Sequence, residues 1–166
     1  MPTGRERLFA RLDELGIGSA TVEHEPMFTV KQSQALRGSL PGAQTKNLFL
    51  VGKDGHPVLI VAKEDTRVDL KVVAERLGLG RLSFGKPEHL AELLGVAPGS
   101  VTPFALINDH DARVAVVVDE TLLASEEVNC HPLENTATTR LATPDLLRFI
   151  RACGHAPVVL TLSRPG

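Results

Sequence analysis

Three short stretches of this chain hold side chains that could do chemistry. They are Lys46, heading the apolar run Leu48-Phe49-Leu50-Val51; the triplet Asp109-His110-Asp111; and the neighbours Cys130 and His131. A lysine that opens an apolar strand can hold a fixed positive charge against an anion, or it can simply snorkel to solvent. Pattern alone leaves both open. Asp-His-Asp has the residue types of a metal site, but it sits between two apolar runs, where Asp and His commonly build turns. No Cys and His cluster with zinc spacing accompanies it. A turn is the expectation there, with no metal and no cofactor. Cys130 and His131 suggest a thiol nucleophile with its base, yet neighbours in a strand point to opposite faces and cannot pair in that way. Cys130 is therefore expected in the core, and His131 taken alone also reads as structural. The chain has no G-x-S-x-G elbow and no phosphate-binding G-x-x-x-x-G-K-[ST] loop. Gly78-Leu79-Gly80 follows a helical pattern instead of opening one, which excludes a dinucleotide fingerprint.

The elements that must position these residues alternate in type. Thr3-Gly4-Arg5-Glu6 has the form of a capping box before Leu8, Leu12 and Leu15, and Gly16 ends that helix. Ala20, Val22 and His24 alternate with polar residues as a short strand ending at Pro26. Thr29 with Gln32 predicts a second helix to about Arg37, and Gly38 to Gly42 a loop. Thr45–Val51 and Pro57–Lys63 flank Lys53-Asp54-Gly55 as a hairpin. Asp69 caps a helix closed by Gly78; Leu82–Phe84 reads as a strand; Pro87 opens a helix closed by Gly95. After the turn Pro98-Gly99-Ser100, Pro103–Ile107 and Val114–Asp119 are expected to pair as strands across Asn108–Asp111. Glu127–His131 and Thr136–Leu141 are further strands, Thr143-Pro144-Asp145 opens a last helix to Ile150, and Val158–Leu162 is a closing strand. Hairpins among interspersed helices predict one α+β domain over 1–166, with a mixed, largely antiparallel sheet and flanking helices.

Composition sets the limits. At 166 residues, with 43% hydrophobic and 23% charged side chains, the chain suits one domain with a core large enough to need no metal or disulfide. Val58–Ala62 and Val114–Val118 are far shorter than the ~20 residues that cross a bilayer. The opening Arg5-Glu6-Arg7 alternates charge, so no signal peptide, no membrane partner and a cytoplasmic location are expected. Two cysteines form no secreted framework. The net charge of −2 argues against strong non-specific nucleic-acid binding. Up to residue 83 there are 12 basic against 10 acidic residues, so any RNA surface should favour that half. With no Trp, no Tyr and six Phe, a broad base-stacking platform is not expected.

Four segments in order carry a resemblance: Gln44-Thr45-Lys46-Asn47-Leu48-Phe49-Leu50, Pro98-Gly99-Ser100-Val101-Thr102-Pro103, Ala105-Leu106-Ile107-Asn108-Asp109, and Cys130-His131-Pro132-Leu133-Glu134-Asn135-Thr136-Ala137-Thr138-Thr139. Together they resemble the YbaK family of aminoacyl-tRNA deacylases, in its prolyl-tRNA-editing branch of ProXp-ala or PrdX type. The resemblance implies a freestanding enzyme that hydrolyses the ester of mischarged tRNA(Pro), chiefly Ala-tRNA(Pro). Its alternatives are a Cys-tRNA(Pro) deacylase of the same fold and a non-catalytic tRNA- or protein-binding paralogue. The implied partners are the tRNA acceptor end and, transiently, prolyl-tRNA synthetase or an elongation factor; no DNA is implied. A synthetic pocket for proline cannot strongly exclude alanine, since missing methylenes are worth only ~1–3 kcal/mol each, so a second, smaller pocket is needed.

The resemblance also implies the site. Lys46 would hold the terminal phosphate or stabilise developing negative charge, while backbone groups at Gly99 orient the attacking water and a substrate ribose hydroxyl shares in proton transfer. His131, with Asn47, would position the aminoacyl group or its ammonium. Ser100 and Pro103 complete the Gly99 loop, and Met27, Phe28 and Val30 form an apolar pocket wall. Arg5, Arg7, Lys31 and Arg37 are expected to neutralise a few phosphates.

Overall fold

The computed structural model describes residues 4–25 and 41–163. The expected helix near Thr29–Arg37 and the pocket residues Met27, Phe28 and Val30 lie outside the described residues, as does Thr3 of the capping box.

Strands β1 (Ser19–Glu23), β2 (Ala43–Val51), β3 (Pro57–Lys63), β4 (Ser83–Phe84), β5 (Ala115–Asp119), β6 (Glu127–Cys130), β7 (Ala137–Ala142) and β8 (Val158–Leu160) form one mixed sheet. Its order is β1-β7-β6-β2-β3-β5-β8, with β4 pairing β2 off that path. The long ladders β2–β3 and β1–β7 are antiparallel. Those of β3–β5 and β5–β8 are parallel. Helices α1 (Arg5–Glu14), α2 (Leu70–Leu77), α3 (Pro87–Leu94) and α4 (Thr143–Ala152) flank it.

Strand β3 explains the layering. Val58 to Ala62 are all wholly buried, so the run is apolar throughout instead of alternating, as a strand covered on both faces must be. Leu59 and Val61 join α1, α3 and α4 in the larger core, while Val58, Ile60 and Ala62 face α2 in the smaller one. Each of the Val, Leu and Ile side chains among them contributes about 1.5–3 kcal/mol. The helix ends follow local chemistry. Asp69 accepts from the N–H groups of Lys71 and Val72, and Gly78 and Gly95 end their helices in the left-handed conformation. The N-cap of α1 is Gly4, which makes no side-chain cap.

One expected hairpin is not formed. Pro103–Asn108 is a 3-10 helix, and β5 instead pairs in parallel with β3 and β8. Two local facts account for this. Thr102 caps the turn by accepting from the Phe104 N–H at 3.3 Å, and Pro103 has no N–H to give a ladder. Pro103, Phe104, Ala105 and Leu106 are all buried, which a half-exposed strand would not allow. The turn reading of Asp109 holds: its carboxylate accepts from the N–H groups of Arg113 and Val114, and His155 Nε2 lies 2.8 Å away.

Candidate active site

Strand β2 joins the two halves of the sheet, and it does so incompletely. On the edge away from β3 it pairs with β6 only at Ala43 and Gln44, and with β4 only at Leu50 and Val51. Between them, Thr45 to Phe49 have no strand partner on that edge among the described residues. Two glycines hold the margins of this gap. Gly42 has φ +88°, and a side chain there would meet Glu127 O at 3.2 Å and Asn129 Nδ2 at 3.1 Å. Gly85 donates its N–H to Phe49 O at 3.0 Å, and a Cβ on it would lie 2.3 Å from the Phe49 ring.

A cleft of about 240 Å³ opens there, lined by Asn47, Leu48, Phe49, Phe84, Gly85, Leu90, Pro98 and Val101. It brings the Asn47 motif beside the Pro98–Ser100 turn, two segments some fifty residues apart in sequence. Asn47 Nδ2 reaches Thr45 Oγ1 only at the outer limit of 3.5 Å. Its Oδ1 is buried with no hydrogen-bond partner among the described residues. A buried acceptor left unpaired costs about 1–3 kcal/mol.

Strand alternation separates Lys46 from Asn47. Phe49 packs in the larger core and Leu48 and Leu50 in the smaller, so Asn47 shares the face of Thr45 and Phe49 while Lys46 shares that of Leu48. Lys46 is half-buried, with no ion-pair partner among the described residues.

Of the other motif residues, Gly99, Ser100, Pro103 and His131 do not line this cleft. Gly99 is exposed, and a Cβ there would meet only Asn135 Nδ2, at 3.6 Å. Its backbone does not demand glycine. Ser100 and Pro103 are buried beneath the loop, whereas Pro98 and Val101 reach the cleft. Thr45 Oγ1 donates to Asn129 O at 2.7 Å, tying β2 to the end of β6 that leads into His131. His131 Nδ1 donates to Ala137 O at 3.0 Å, which leaves Nε2 of the neutral ring as an acceptor. Burial pushes the His131 pKa below its ordinary value, against the Ala137 hydrogen bond and helped by His24, whose ring centroid is 6.4 Å away. His24 in turn donates from Nδ1 to Glu25 O at 2.8 Å and meets Thr138 Oγ1 at 2.9 Å. Pro98, Val101 and Asn135 stand inside the quoted motif segments but were given no role there, and His24 and Phe84 fall outside every motif, so none of the five was legible as a site residue.

Cys130 lies in the core as expected, and burial pushes its thiol up to about 12 despite a hydrogen bond from Thr45. Such a thiol is no nucleophile. Arg5 is engaged by Glu23 and Glu134, tying α1 to β1 and to the loop after β6 instead of standing free for phosphate. No group of three or more His, Cys, Asp or Glu side chains among the described residues is placed to hold a metal ion. No helix among them is long and apolar enough to cross a membrane.

The mixed sheet is thus split along β2, the strand that carries both the unpaired acceptor and the lysine. Residues 24–149 match the aminoacyl-tRNA editing domain, and the chain belongs to that family of aminoacyl-tRNA deacylases. The chain is 34% identical over 152 residues to the prolyl-tRNA editing protein ProX of Acetoanaerobium sticklandii, covering 91% of this chain and 93% of that protein. It is 36% identical over 165 residues to prolyl-tRNA synthetase associated domain-containing protein 1 of Bos taurus, covering 96% of each. Among solved structures, it is similar to one described as a candidate trans-editing enzyme for prolyl tRNA synthetase, with a TM-score of 0.75, 27% identity and 99% of both chains covered. The expected family, fold and hydrolase class are borne out.

Proposed function

We propose that this protein hydrolyses the aminoacyl ester of mischarged tRNA(Pro), with Ala-tRNA(Pro) as its main substrate. The names of its relatives support tRNA(Pro) as the class of substrate. The observation that carries the site is Asn47, which lines a cleft shared with the Gly99 loop and keeps its Oδ1 buried and unpaired among the described residues. A carbonyl oxygen accepts only from donors, and the α-ammonium of an aminoacyl ester is a charged donor of the right kind.

In this reading the ammonium docks on Asn47 Oδ1 and the ester carbonyl lies toward Gly99, whose missing side chain leaves room for close approach. Water attacks the carbonyl, and backbone groups of the Pro98–Ser100 turn hold the reacting atoms. His131 Nε2 accepts a proton from the ammonium, a water or a ribose hydroxyl. Lys46, on the opposite face from Asn47, suits the terminal phosphate better than the charge developing at the carbonyl. Selectivity for alanine comes from volume, since alanine offers no polar side chain to read. The synthetase is a transient partner, a reading supported by the names of the associated-domain relatives.

The test is ester loss from Ala-, Cys-, Ser- and Pro-charged tRNA(Pro) mixed with purified protein. Fastest loss of alanine, with Lys46→Ala slower by at least ~10²-fold, is expected. Faster loss of cysteine would make it a Cys-tRNA(Pro) deacylase. Stability of all four esters would refute the enzymatic reading.

A further inference from the structure

Phe84 is 67% exposed, more than any other large apolar side chain among the described residues. A single exposed apolar residue is ordinary by itself. Its placement is not. Phe84 opposes Leu50 in the β2–β4 ladder, so its ring stands on the face of β2 that carries Leu48 and Lys46. It also lines the same cleft as Asn47, whose Oδ1 is buried and unpaired among the described residues. Only glycine at position 85 lets β4 lie this close to the Phe49 ring, and that contact fixes the rim on which Phe84 sits. The β2–β4 ladder is two residues long, so the ring is held out instead of being folded into either core.

We propose that Phe84 is a stacking platform for a base of the unpaired 3′ end of the tRNA, a binding residue of the proposed deacylase. The inference rests on that reading of the site. Along one aminoacylated end the ammonium, phosphates and bases are displaced from one another, and β2 with its partner β4 presents a receptor for each. Asn47 offers an acceptor, Lys46 a cation, and Phe84 an aromatic face four ladder positions from Lys46, or ~13 Å along the strand. Base–aromatic stacking is tolerant of sequence because every base has a π-face, and so it suits an end shared by all tRNAs. In a chain without Trp or Tyr and with net charge −2, one well-placed ring supplies contact that charge does not.

Replacing Phe84 by leucine removes the π-face at an exposed position, so the fold should be kept, with an unchanged Tm. KM for Ala-tRNA(Pro) should rise about 5- to 150-fold, the range expected for one stacked base, with kcat within about threefold. Phe84→Tyr should restore KM. Because the chain has no Trp of its own, Phe84→Trp supplies a unique fluorescent reporter. Uncharged tRNA(Pro) and a short oligonucleotide ending in CCA should both quench it, saturating near the KM of that variant. An unchanged KM in Phe84→Leu, or indole emission from Phe84→Trp untouched by either RNA, would overturn the proposal. Emission that shifts with prolyl-tRNA synthetase but not with RNA would overturn it too, since the ring would then face a protein. Failure of the deacylation reading is separate: wild type would spare every ester whether or not RNA quenches the reporter.

Discussion

Replacing Asn47 by valine should make the protein more stable and less active at once. Asn47 Oδ1 is buried without a partner among the described residues, and removing such a group relieves about 1–3 kcal/mol of desolvation cost. Asn47 lies opposite Val61, which is wholly buried, so valine would add a β-branched cross-strand pair worth about 0.2–1 kcal/mol. Against this stands the loss of the Nδ2 contact to Thr45 Oγ1, which at 3.5 Å is worth no more than about 0.5 kcal/mol. The balance is about 1–4 kcal/mol in favour of the variant. For a chain of this length that raises Tm by about 2–16 °C. If Oδ1 receives the substrate ammonium, a charged hydrogen bond worth about 1.5–3 kcal/mol is lost, and kcat/KM falls about 10- to 150-fold. Thermal unfolding followed by circular dichroism and single-turnover deacylation of Ala-tRNA(Pro) measure the two effects. A variant with lower Tm and full activity would refute both the orphaned acceptor and its role.

Three further outcomes follow from the same geometry. Gly85→Ala should cost about 1–3 kcal/mol in denaturant unfolding, because its Cβ would lie 2.3 Å from the Phe49 ring; adding Phe49→Leu should recover part of the loss, and no change in midpoint would refute the close approach. His131, held below its ordinary 6.5 chiefly by burial, should give an acid limb of kcat/KM below pH 6.5 if its neutral ring is required. Between its folded value and 6.5 the unfolded chain binds the extra proton, so this residue's contribution to stability rises with pH through that window; a limb at or above 6.5 would contradict it. Cys130, pushed up to about 12 by burial, should resist iodoacetamide at pH 8 in the native protein and react on denaturation, and rapid native alkylation, read by mass spectrometry, would count against its placement.

The sequence by itself determined what depends on near neighbours. Asp69, Gly78 and Gly95 bound their helices as expected because caps and left-handed residues act within a few positions. The β2–β3 hairpin formed across Lys53-Asp54-Gly55, and the burial of Val58 to Ala62 followed from an unbroken apolar run. Four ordered motifs were enough for the family. Pro103–Ile107 misled because its apolar content resembles a strand, while the Thr102 cap and the missing proline N–H decide for a 3-10 turn. Tertiary structure alone assembled the candidate site. Period-two alternation could place Lys46 and Asn47 on opposite faces, but only the assembled sheet shows which face meets which core. The gap between β6 and β4 along β2, the approach of Gly85 to Phe49 and the cleft that Asn47 shares with Pro98 all join residues far apart in the chain. A local pattern carries no information on such distances, because they are set by how whole elements pack and not by what any one of them prefers.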